Sequence, residues 1–136
     1  MAVYLLDTTT LTLLQRNHVR VSAARGADTV GITALNVEEV IGGWVALLRR
    51  AKTNAQEAQA SRSLADAVAF LARFPIYPLT VTAPDTFDRL VKLRLNVGTT
   101  DLKIAAVALD LGATVVTNNT RDFGRVPRLL WEDWSV

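Results

Sequence analysis

Val3-Tyr4-Leu5-Leu6-Asp7-Thr8-Thr9-Thr10-Leu11-Thr12-Leu13-Leu14 changes its period in mid-stretch. Val3 to Leu6 is a short, β-prone apolar run with no polar alternation, which describes a strand buried on both faces. After Asp7 the polar threonines give way to Leu11, Leu13 and Leu14, which begin a helical pattern. A doubly buried strand that runs straight into a helix belongs in a parallel sheet with helices on both sides. The same event recurs at Thr29–Thr33, where a long helix follows carrying Leu35, Val37, Val40, Ile41, Trp44, Leu47 and Leu48. Thr114–Thr117 is a further buried strand, and Trp131 begins a last short one. Between them, Asn54 to Phe74 reads as a helix that Pro75 stops, with residues 49–62 as its solvated approach. Ile76–Leu79 reads as a short strand, at an edge because of its prolines. Thr82 is expected to cap a helix with Pro84 near its start, and Asp101–Leu111 forms another, closed by Gly112. Asn17–Ala27 reads as a short helix. Gly42-Gly43 costs a helix about 1 kcal/mol per glycine, which predicts close packing or a bend there. The expectation is an α/β fold over a single domain, residues 1–136, with a central mainly parallel sheet of 4–5 strands flanked by helices.

Composition narrows the chemistry. The 136 residues contain no cysteine and one histidine, His18, which excludes disulfides, thiolate metal sites and any mechanism that needs two histidines. Half the residues are apolar and 21% are charged, so the chain is not disordered. Fifteen Lys/Arg against thirteen Asp/Glu leave +2, too small an excess to announce a nucleic-acid partner. The longest apolar run, Val40–Leu48, is far short of a membrane span. The opening Met1–Asp7 lacks the basic region of a signal peptide. No membrane association and a cytoplasmic location are expected.

Four acids stand at strand or helix ends: Asp7, Glu39, Asp101 and Asp122. Each has an ordinary structural use. Asp7 or Thr8 can be an N-cap, Asn36 and Glu39 fit an N-x-x-E capping pattern, Asp101 suits a first helical turn, and Asp122 can make an Asx turn before Gly124. Collectively they converge on one edge of the sheet, beyond the strands' carboxyl ends, where ligands of such sheets sit. Two carboxylates about 5 Å apart repel by roughly 3 kcal/mol at an effective dielectric of 20. Folding does not require that arrangement. Hard oxygen ligands without Cys or paired His point to Mg²⁺ or Mn²⁺ and suit phosphodiester chemistry.

These segments resemble the PIN-domain ribonucleases, in particular the VapC-type toxins of type II toxin–antitoxin pairs. The matching stretches are YLLDTTTLTLLQR at 4–16, ITALNVEEVIGGW at 32–44, GTTDLKIAAVALDLGA at 98–113 and TVVTNNTRDFGRVPRL at 114–129. The resemblance implies a PIN-like three-layer sandwich and a Mg²⁺-dependent endoribonuclease (Mn²⁺ possible). Asp7 and Asp101 would be direct metal ligands, and Glu39 and Asp122 would complete the catalytic and metal-binding set. The family's second acid precedes a glycine by four residues and a bulky residue by five. Glu39, with Gly43 and Trp44, fits that spacing better than Glu38. Thr8, Thr9, Thr117 and Asn119 would position water or phosphate oxygens. Thr9 replaces the family's usual Asn, and Asn119 occupies a place where some members carry an acid. The resemblance further implies an RNA substrate of the tRNA or rRNA class, a cognate VapB-like antitoxin and a homodimer, with the apolar helices between Leu35 and Phe74 available for both protein interfaces.

Arg121, Arg125 and Lys103 are the basic residues nearest the acids in sequence and the candidates for RNA contact. Arg49, Arg50 and Lys52 form another cluster. Two alternatives remain open: a catalytically weakened PIN-fold module that binds RNA or protein, and a phosphatase using Asp7 as nucleophile. The latter commonly has a D-x-D pair, and position 9 here is Thr. His18 is expected on a helix surface, and Trp131 and Trp134 are expected to pack the last strand against the core.

Overall fold

A computed structural model describes residues 2–17 and 29–135. The expected helix at 17–27 and His18 therefore lie outside the described residues, apart from Asn17. Strand β1 (Val3–Leu6) leads into helix α1 (Thr8–Gln15), and β2 (Thr29–Thr33) leads into α2 (Ala34–Arg49). Helix α3 (Asn54–Leu71), strand β3 (Ile76–Tyr77) and helices α4 (Ala83–Lys92) and α5 (Thr99–Leu111) follow. The chain closes with β4 (Thr114–Val116), the short α6 (Thr120–Phe123) and β5 (Leu130–Glu132). The five strands form one sheet in the order β3-β2-β1-β4-β5, and every pairing is parallel. The order reverses beside β1, so the crevice between the ends of β1 and β4 is the switch point.

Strand alternation divides the core into two layers. Leu5 and Val115 face a cluster that includes Leu90 of α4, Ile104 and Val107 of α5, and Phe123. Leu6, Ile32 and Val116 face the other way, toward Leu11 of α1, Leu71 of α3 and Trp134. The result is the expected three-layer sandwich. Helix α5 is buried along its middle, with Ile104 through Ala108 fully inaccessible. Its end is a left-handed Gly112 at φ 64°, which satisfies the last-turn carbonyls. Asp110, near that end, accepts hydroxyl hydrogen bonds from Thr80, Thr82 and Thr86, at 2.7–2.8 Å. Burial pushes its carboxyl up, but those hydroxyls and the charge of Arg89 outweigh it and hold it below the ordinary carboxylate range.

Several local expectations change. Thr82 does not cap α4 with its side chain, because its hydroxyl is directed to Asp110 instead. The α2 cap is Thr33 with Asn36 in a reciprocal box, so Glu39 takes no part in capping. Residues 54–62 belong to α3 itself rather than to an approach. Trp134 packs in the core beside Tyr4, whereas Trp131 on the edge strand is 41% exposed. Helix α2 runs uninterrupted through Gly42 and Gly43, and a Cβ at either would meet nothing within 4 Å. Among the described residues no close packing calls for glycine at those two sites.

Gly31 is different: a Cβ there would come within 2.6 Å of the Tyr77 ring and 3.1 Å of the Pro75 carbonyl oxygen. Gly42→Ala is expected to stabilise the protein by roughly 0.5–1 kcal/mol through helix propensity. Gly31→Ala should destabilise it by about 1–3 kcal/mol through overpacking against β3. Urea unfolding of the two variants checks the pair.

Candidate active site

Because the strands are parallel and in register, their C-terminal ends place residues in a row. Leu6 pairs with Val116, and Val116 pairs with Glu132, so Asp7, Thr117 and Asp133 follow side by side. Asp7 is 2% exposed and caps α1, one carboxylate oxygen accepting the Thr10 backbone N–H at 2.8 Å. The other accepts the Thr117 hydroxyl at 2.6 Å. Burial raises the Asp7 carboxyl above its ordinary range, the Thr117 and Thr10 hydrogen bonds oppose that, and the charge of Asp133 adds to it. Capping and site-building are therefore one role at this position.

The second strand supplies a scaffold that sequence reasoning missed. Asn36 is fully buried. Its Oδ1 accepts the Thr33 backbone N–H and hydroxyl, both at 2.8 Å, and its Nδ2 donates to the Thr8 hydroxyl at 3.1 Å. The amide ties the start of α1 to the start of α2, one turn before Glu39. Its signal was visible as an Asn just inside the helix, but the capping pattern assigned it to the wrong partner.

Asp101 lies in the first turn of α5. Its carboxyl is pushed up to about 6, first by burial and then by the charges of Asp7, Glu39 and Asp122. The four acids singled out from the sequence thus share one electrostatic neighbourhood. Glu39 and Asp101 line an open cleft of about 430 Å³ with Thr8 and Thr9 of α1, and Glu38 is not part of that lining. Asp133 is a further acid at this edge, acting on Asp7. Its placement after β5 repeats that of Asp7 after β1, a parallel that was readable once the last strand was recognised.

The fourth motif forms a relay of hydrogen bonds. The Thr117 hydroxyl, donating to Asp7, accepts the Asn119 backbone N–H at 2.8 Å. The Asn119 side-chain amide donates to Asp122 at 3.0 Å, and Arg125 pairs with the other Asp122 oxygen at 3.5 Å. Arg125 also donates to the Asn96 carbonyl, so its guanidinium is partly engaged. Arg121 is exposed on α6. Lys103 lies away from the cleft, its ammonium 5.5 Å from the centre of the Phe87 ring on α4.

Carboxylates that repel one another, with hard oxygen donors and no thiol or second imidazole, suit a divalent cation of the magnesium type. Among the described residues no three His, Asp or Glu side chains are gathered to grip one ion. No described helix is long and apolar enough to cross a membrane.

Known proteins share this architecture. Ribonuclease VapC1 of Haemophilus influenzae is 27% identical over 138 residues, an alignment covering 98% of both chains. The DNA-bound VapBC of Salmonella typhimurium includes a chain 28% identical with a TM-score of 0.77, covering 98% of this chain and 99% of its own. VapBC2 of Rickettsia felis, bound to a promoter DNA fragment, gives 25% identity and a TM-score of 0.73 over 97% and 98% of the two chains. The PIN domain family model matches residues 4–129. With that match spanning all four acidic motifs, the chain belongs to the PIN-domain family.

Proposed function

We propose that the protein is a VapC-like endoribonuclease that hydrolyses RNA phosphodiester bonds with the aid of Mg²⁺ or Mn²⁺ and is inhibited by a VapB-like antitoxin. The observation that carries this reading is the Asp101 carboxyl, raised to about 6 by burial and by three neighbouring acids. Repulsion of that kind weakens a fold, and a bound cation offsets it. The name of the Haemophilus relative supports the RNA-cleaving activity, and the VapBC complexes among the structural relatives support an antitoxin partner.

In this reading Asp7 and Asp101 would hold the ion, with Glu39 and Asp122 completing the acidic set around it. Such an ion, when bound, lowers the pKa of a water and offsets charge on the phosphate and the leaving oxygen. The protein's own groups do the positioning. Thr117 orients Asp7, and Asn36 holds Thr8 so that the Thr8 O–H is left to donate into the cleft. Thr9, exposed on the same wall, offers a hydroxyl to a phosphate oxygen or a water. Asn119 brings no charge and donates to Asp122, which leaves Asp122 as the acid of the fourth motif. Arg121 and Arg125 flank it as RNA contacts. The groove of about 560 Å³ between α2 and α3, lined by Trp44, Leu47 and Ala55, offers apolar surface for protein partners. A homodimer and a tRNA or rRNA substrate belong to the same proposal.

The neutral groups at positions 9 and 119 favour a second reading, a module that binds RNA without cutting it. Sequencing RNA ends after expression of the wild type and of Asp7→Asn separates the two. New ends bearing 5′-phosphates are expected only with the wild type, and Asp7→Asn or Asp101→Asn should lower cleavage by roughly 10²-fold or more. Full metal-dependent cleavage by a folded Asp101→Asn protein would sink the assignment. RNA binding with no cleavage under either ion would favour the second reading.

The pH dependence follows from the direction of the Asp101 shift. The folded protein holds that proton more tightly than the unfolded chain does. In metal-free protein the associated stability is full below about pH 4 and is lost as pH rises through about 6. Asp101→Asn should remove that loss and raise the metal-free melting temperature at pH 7.5, by about 3–5 °C per kcal/mol relieved. Cleavage has the opposite slope. It should rise as pH rises through about 6, with the midpoint moving lower as ion concentration increases, because metal and proton compete. Thermal melts and initial rates measured over the same pH series check both signs.

A further inference from the structure

We propose that Arg16 is a phosphate-binding positioning residue of the cleft, holding an RNA phosphate next to the one being cut. The inference rests on the ribonuclease reading above and adds the group that sets where the strand lies.

Helix α1 starts at the Asp7 cap and ends at Arg16. Thr8, Thr12 and Arg16 recur every four residues, so they lie along one face of the helix. All three line the cleft of about 430 Å³ that Glu39 and Asp101 line from the other elements. Eight residues of helix span roughly 12 Å, which sets Arg16 at the far end of that wall from Asp7.

Among the described residues no acid pairs with Arg16; its backbone N–H bonds to the Thr12 carbonyl, and its side chain is exposed. Two of the other cations near the acids already have partners. Arg125 is bound to Asp122 and Asn96, and Lys103 sits over Phe87. Arg16 is thus the cation that shares the cleft lining with the acids.

A polyanion approaching four carboxylates needs positive charge besides a metal ion. The guanidinium fork matches phosphate oxygens in a way that a threonine hydroxyl cannot. The separation from Asp7 along α1, roughly 12 Å, assigns Arg16 to a flanking phosphate, so its effect falls on binding and register, not on bond breaking.

The test uses the full chain and a fluorescein-labelled RNA hairpin with a single-stranded loop. In an Asp101→Asn background, which binds without cutting, fluorescence anisotropy across a salt series gives affinity and its salt slope. Arg16→Ala is expected to weaken binding about tenfold and to lower the slope of log K against log salt by about 0.7, one phosphate contact on a single strand. Arg16→Lys should keep the slope, because the charge remains. With Asp101 intact, Arg16→Ala should raise KM for cleavage and leave kcat nearly unchanged, and an unaltered melting temperature shows that the fold is intact. An unchanged slope and affinity in Arg16→Ala overturns the proposal, as does a fall in kcat at constant KM. Wild-type protein that binds the hairpin through Arg16 but never cleaves RNA overturns the ribonuclease reading alone. Failure of the Asp101→Asn and wild-type proteins to bind any RNA overturns both.

Discussion

The hydrogen bond from the Thr117 hydroxyl to the Asp7 carboxylate, 2.6 Å long, joins two parallel strands where they end. Everything at this edge of the sheet is referred to it. It requires β1 and β4 to be adjacent and in register, and it requires a carboxylate to be buried where only hydrogen bonds offset its desolvation. Asp7 meets the second demand by taking the α1 N–H at its other oxygen. One side chain therefore fixes the strand end, the helix start and the direction in which the remaining oxygen lone pairs point.

From that point the site grows by the same logic of element ends. The amide of Asn36 carries the connection from α1 to α2, and the Asn119 amide carries it from Thr117 to Asp122. Neutral donors hold charged acceptors in place without cancelling them. That distinction matters, because a lysine or arginine in either position would have paired with the acids and lowered their affinity for an external cation. Among the described residues the single ion pair at this edge, Arg125 with Asp122, is partly solvated and lies on the rim.

The architecture was legible in the sequence because three strands were short apolar runs, two of which break directly into helical periodicity. Such a pattern has few solutions other than a covered parallel sheet. Asp7 and Asp101 drew attention for the same reason, one at a strand-to-helix junction and the other in a first helical turn, whereas Glu39, in the second turn of α2, was singled out by its spacing to Gly43 and Trp44. What could not be read was partner choice over long sequence separation. Thr82 looked like a cap and serves Asp110. Lys103 looked close to the acids in sequence, but two residues of helix turn it toward Phe87. Asp133 was passed over because its strand is three residues long and pairs only at the sheet edge. Gly42 and Gly43 suggested a packing demand that the described residues do not make.

Helix α5 carries one further implication. Asp101 stands at its beginning and Asp110, anchored by three threonines, near its end, while the turns between are sealed in the interior. Alanines at 105, 106 and 108 fill that interior with side chains too small to rearrange. The helix is accordingly a rigid strut with both ends pinned, and its acid has little freedom to swing away when repelled. Like-charged carboxylates in a softer frame would relax apart and leave a weak site. Here the rigidity of a buried rod is converted into electrostatic tension at its tip, which a cation can discharge.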